Sequence, residues 1–96
     1  MEQCEALLAK MVGMLRQDKQ PALRKRIEEA VAEHARGHMG QTGTQAEAVA
    51  LRFLQDLDIF VNMRGADFIY SRGIAETLRV GEDIFELAYV MKHALR

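Results

Sequence analysis

The chain holds few side chains of the kinds that do chemistry: one cysteine, Cys4, one serine, Ser71, and three histidines, His34, His38 and His93. His34 and His38 have the H-x3-H spacing that, on an unbroken helix, turns two imidazoles to one side for a metal ion. Gly37 falls between them, and a third ligand would have to come from Cys4, His93 or a carboxylate. Cys4 can act as a nucleophile only beside a base that favours its thiolate, and nothing in its neighbourhood supplies one. Asp56 and Asp58 are two residues apart, so on a helix their carboxylates diverge. The run Gly37–Gly43, GHMGQTG, lacks the Lys-Ser/Thr that completes a phosphate loop, and Ser71 stands outside any nucleophile elbow. These residues predict no catalytic constellation, no metal and no cofactor, and so a protein that is not an enzyme.

Charge is the next source of chemistry. Thirteen basic residues face fourteen acidic ones, a net charge of −1, which gives no global attraction to nucleic acid or an anionic membrane. The one basic run is Arg24-Lys25-Arg26. Glu28 and Glu29 follow at i+4 from Arg24 and Lys25, the spacing of helical ion pairs worth a few tenths of a kcal/mol each, so a solvated, salt-bridged helix face is expected there.

The elements that position these residues are helical. Cys4, Leu7, Leu8, Met11, Val12 and Leu15 share one side of a first helix, Glu2–Gln17. Pro21 suits the first helical position and disfavours a helical Gln20. It opens a second helix to Arg36 with Leu23, Ile27, Ala30, Val31 and His34 as its stripe. The two form an N-terminal hairpin over residues 1–36. Three glycines make 37–43 a loop. The central helix, Thr44–Arg64, opens on a capping box of Thr44 and Glu47 and closes at Gly65, read as a left-handed C′ residue. Val49, Phe53, Leu57, Phe60 and Val61 form its stripe, and Leu51, Leu54 and Ile59 a second apolar row. Asp67 is read as the N-cap of a helix from Phe68 to Arg79, and Val80-Gly81 as a turn. A last helix, Glu82–Leu95, buries Ile84, Leu87, Ala88, Met91 and Leu95, and places acids at its start and Lys92, His93 and Arg96 at its end, in the order its dipole favours. With no alternating strands, the expectation is an all-α domain over 1–96: a compact bundle of four to five helices made of the hairpin, the central helix and a C-terminal helix pair over 66–96.

Within that pair, Ile74–Val90, IAETLRVGEDIFELAYV, resembles the helix-turn-helix motif of bacterial DNA-binding regulators. Ala75 takes the small position of the first helix, Leu78 a packing position, Val80 follows the turn, and Ile84 and Leu87 lie inside the second helix. Arg79 stands where the family has its turn glycine, with Gly81 two residues later. The second helix would present Glu82, Asp83, Phe85, Glu86 and Tyr89, and carboxylates repel phosphates and cannot read most base edges. The resemblance implies a DNA-binding regulator using residues 74–90, the alternative to the main reading; its candidate DNA contacts are Arg79 and, from the separate basic run, Arg24, Lys25 and Arg26.

The main reading rests on apolar surface in excess of one small core. Met14, Leu51, Ile59, Phe68, Tyr70, Phe85 and Tyr89 fall outside the stripes or crowd them, and aromatics and Met are enriched at interfaces. The six methionines add adaptable thioethers. These residues predict a small protein-interaction module, a homodimer acting as an adaptor, chaperone or anti-activator by packing a partner helix. A single cysteine, an N-terminus with no basic stretch before its apolar part, and the lack of an apolar run of about eighteen residues make the expected location cytoplasmic.

Overall fold

The computed structural model describes residues 2–36, 43–69, 73 and 82–96. It is all-α, a bundle of helices. Four are long: α1 (Glu2–Gly13), α2 (Gln20–Arg36), α3 (Gly43–Asn62) and α4 (Glu82–Lys92), with a 3-10 turn at Gln17–Lys19 and a helical segment over residues 65–69. The Cα trace is only 18 Å deep along its shortest axis, room for two helix layers with axes about 8–10 Å apart. α3 is the organising element: it packs against α1, α2 and α4. Ala50, Phe53, Leu54, Leu57 and Val61 are its buried arc. Leu54 therefore belongs to the core and not to a second row. Arg52, Gln55, Ile59 and Asn62 are exposed, so α3 is not apolar around most of its circumference.

The first helix is shorter than its periodicity. α1 stops at Gly13, and Leu15 forms an isolated antiparallel bridge with Leu95. The Arg16 amide donates to the Ala94 carbonyl at 2.7 Å and the Arg96 amide to the Met14 carbonyl at 3.1 Å. The same arginines cross over with their side chains: Arg16 Nη1 donates to the His93 carbonyl at 3.4 Å, and Arg96 Nη2 donates to the Gly13 carbonyl. Each helix end leaves carbonyls without intrahelical donors, and here each end is capped by an arginine from beyond the other. α4 accordingly ends at Lys92 and not at Leu95. Periodicity continued through both ends because Leu15 and Leu95 remain covered on either geometry.

Two backbone expectations reverse. Gln20 is helical, φ −62° and ψ −47°, although a proline follows it; the preceding 3-10 turn delivers the chain in helical geometry, and Gln20 Nε2 ties back to the Leu15 carbonyl at 3.0 Å. Gly65 is not a left-handed cap. It begins the helical segment 65–69, where the Phe68 amide donates to the Arg64 carbonyl at 3.0 Å, so that segment opens earlier than an Asp67 cap would place it. α3 instead ends through a tightened turn, the Met63 amide on the Phe60 carbonyl at 3.3 Å, with Lys92 Nζ donating to the Met63 carbonyl. α3 starts at Gly43, one residue before Thr44. Of the expected loop 37–43 only Gly43 is described, and it is helical; of the expected helix to Arg79, Gly73 is described beyond residue 69 and is helical, and the rest, the Val80-Gly81 turn and the capping contact of Thr44 lie outside the described residues and side chains.

Candidate functional site

The described residues predicted to form one apolar surface differ in their exposure. Phe85 and Phe68 are core residues, 2% and 7% exposed. Phe85 packs on two rings, Phe60 at 4.4 Å and Phe68 at 5.6 Å between centroids, both tilted. Lys92 Nζ sits 5.0 Å over the Phe68 ring. α4 buries a wider arc than one stripe, Ile84, Phe85, Leu87, Ala88 and Met91, and this wider arc takes in Phe85. Met14 is half-buried against the core, because the helix ends at Gly13 and the wheel that placed Met14 outward no longer applies. Leu51 is half-buried, in a shallow furrow beside Leu7 and Lys10. Ile59 and Tyr89 are exposed, at 53% and 54%. Ile59 has Arg52, Gln55 and Asn62 as its neighbours on the helix, and Tyr89 is set against the His93 ring at 4.5 Å. Tyr70 lies outside the described residues.

The polar candidates take structural partners. Arg24 pairs with Glu28 at 3.7 Å and with Glu5 at 3.5 Å. Lys25 and Arg26 are exposed, and Arg79 is not among the described residues. Asp58 pairs with Lys10 of α1 at 3.2 Å and Asp56 with Arg52 at 3.1 Å, so the two carboxylates point to different partners. The His34 ring lies 5.1 Å from that of Phe53, and His38 falls outside the described residues. Among the described residues no three His, Cys, Asp or Glu side chains converge as metal ligands. On α4, the half of the helix-turn-helix resemblance that is described, Ile84 and Leu87 face inward as expected, and Asp83, Glu86 and Tyr89 face out.

What the structure assembles instead is a half-open groove of about 330 Å³ between α1, α2 and α3. Its floor is Cys4, Leu8, Ile27 and Leu54, all buried. Its walls are Val31, Ala32 and Ala35 from α2 and Ala46 and Ala50 from α3. Glu5, Glu28 and Glu47 stand at its rim. The cause is local. Along α2, Leu23 and Ile27 are buried, Ala30 and Val31 are half-buried, and His34 is exposed: the stripe loses cover toward the C-terminal end of the helix. Opposite it α3 offers alanines, whose methyls are too short to close the space. The lining stretches, 27–35 and 46–54, each run for roughly 12 Å at 1.5 Å per residue. The Cys4 thiol is 4.0 Å from the Glu47 carbonyl. Sequence reasoning missed this site because it searched for large apolar residues. The available signal was the clustering of alanines late in one helix and early in the next.

Among the described residues no helix is long and apolar enough to cross a membrane. Compared with protein-family models, curated proteins and solved structures, the chain matches none.

Proposed function

We propose that this protein is an interaction module that holds an apolar segment of a partner protein in the α1–α2–α3 groove, acting in a reducing, cytoplasmic setting as an adaptor, chaperone or anti-activator does. The observation that carries the reading is the groove itself: an apolar floor, walls of small side chains, and a volume of about 330 Å³, within the range of roughly 300–1,000 Å³ of sites that bury a ligand. A cleft between helices, lined by apolar side chains and edged by charge, is the shape used in helix-in-groove recognition. Ala32 is exposed while lining the groove, so Ala32→Trp fills it without entering the core.

Affinity capture from native cells with the wild type and Ala32→Trp side by side tests the reading. A stoichiometric protein held by the wild type and lost with the variant, both showing the same helical circular dichroism, is the expected result. A partner held equally by both places the interaction elsewhere on the molecule. Nucleic acid in the eluate, released by salt, would favour the regulator reading. The acidic outward face of α4, Asp83 and Glu86, gives that reading no added support.

A further inference from the structure

We infer that segments 13–16 and 93–96 form a latch, which opens as one unit while the rest of the bundle stays folded and which bares Ala94 when it opens. Helix packing is not the main link between these ends: α1 packs chiefly on α3 and α2, and α4 on α3 and, more lightly, α2. What joins them is a reciprocal set of bonds. Arg16 gives its amide to the Ala94 carbonyl and its Nη1 to the His93 carbonyl, and Arg96 gives its amide to the Met14 carbonyl and its Nη2 to the Gly13 carbonyl. Each arginine commits both backbone and side chain to the opposite segment, so neither segment leaves without breaking all four bonds. Each guanidinium also lies at the C-terminal end of a helix, where the dipole favours a cation. The latch sits at the edge of the core. Arg16, His93 and Arg96 are exposed, and only Leu15 and Ala94, at 0% and 4%, are its buried members. The adjoining 3-10 turn buries nothing. Without the latch α1 still holds Cys4, Leu8, Met11 and Val12 in the core, and α4 still holds Ile84, Phe85, Leu87, Ala88 and Met91. Few buried contacts and solvent-accessible bonds mark a unit that opens ahead of the whole. Gln20 Nε2 holds the Leu15 carbonyl at 3.0 Å and the Lys19 amide holds the Arg16 carbonyl at 2.9 Å. The side that swings is therefore 93–96, and 14–16 stays seated at the start of α2.

Native-state hydrogen exchange of the full chain, read amide by amide, tests this. In the wild type the amides at positions 16 and 96 should share one protection factor, lower than those of Leu57 and Val61 in α3. Arg16→Ala and Arg96→Ala should each lower protection at both positions, by about tenfold, the weight of one hydrogen bond from a charged donor. The double variant should lower it by the product of the two, and Leu57 and Val61 should keep their protection throughout. A thiol placed by Ala94→Cys, in a Cys4→Ala background, should react with a thiol reagent at a rate that Arg16→Ala raises by the same factor. Loss of protection confined to the substituted position means two independent ends and overturns the single unit. An equal loss at Leu57 and Val61 makes the four bonds part of global unfolding and overturns the latch. Unchanged protection in both single variants shows that the guanidiniums hold nothing, with the same consequence. A thiol rate that Arg16→Ala leaves unchanged removes the baring of Ala94.

Discussion

The two sides of α3 are built from the same kind of helix and end in opposite states. Toward α4 its flank is closed by rings: Phe60 and Phe68 pack on Phe85, and Lys92 covers Phe68 while donating to the carbonyl of Met63. Toward α2 its flank carries Ala46 and Ala50 and meets Ala32 and Ala35, and a groove remains. Side-chain volume, and not helix placement alone, decides which flank is core and which is surface. A close-packed interior tolerates few voids larger than a water. A space of this size between well-formed helices is therefore either a place for something else or a place where the fold gains little.

The largest expected effect of a single change is on the closed flank. Phe85→Ala should destabilise by about 3–5 kcal/mol, much of the roughly 5–15 kcal/mol that holds a domain folded, and chemical denaturation reads it directly. A loss below about 1 kcal/mol would mean that the three-ring packing is not what closes this side. On the open flank the sign should reverse. Ala35→Leu adds apolar volume where there is room, so the midpoint should rise, by about 0.5–2 kcal/mol in the manner of cavity filling, while peptide binding at the groove falls. Destabilisation by Ala35→Leu would show that the groove closes in solution.

A smaller effect separates sequence from structure at one residue. A left-handed Gly65 would be strained by alanine. The helical Gly65 of the structure has open space where a Cβ would go, so Gly65→Ala should stabilise by about 0.4–1 kcal/mol through the unfolded chain. A lowered melting temperature would restore the C′ reading. The smallest effect is expected at the exposed Ile59: Ile59→Ser should stay within about 0.5 kcal/mol and leave the sedimentation behaviour unchanged. If it instead converts a dimer to a monomer, the outer face of α3 is an interface after all, and the groove is not the main contact surface.

Much of the fold was legible in the chain. The spacing of Cys4, Leu8, Met11 and Val12, of Leu23 and Ile27, of Phe53, Leu57 and Val61, and of Ile84, Leu87, Ala88 and Met91 marked the buried faces, and the structure buries each of them. The candidate site was not legible. Of its floor residues, Cys4, Leu8 and Ile27 were read correctly as apolar stripe and Leu54 was not, and the opening above them depends on how far α2 stands from α3 beyond Ile27. Met14 and Phe85 were misplaced for a related reason. A helical wheel assumes that the helix continues and that one face is covered. α1 ends at Gly13, and α4 is covered over a broad arc by α3 and by Phe68 of residues 65–69.

Amphipathic periodicity is a local property, carried by residues three and four apart, so the amino-acid order alone determined that this chain is helical, which faces turn inward and where α3 belongs. Helix ends, caps and voids are settled by residues far apart in the chain. Arg96 reaches Gly13, Arg16 reaches His93, Lys92 reaches Met63, and the alanines of α2 and α3 fail to fill the space between them. Only the packed structure could decide these, because each depends on the distance between elements, which no spacing within a single helix encodes.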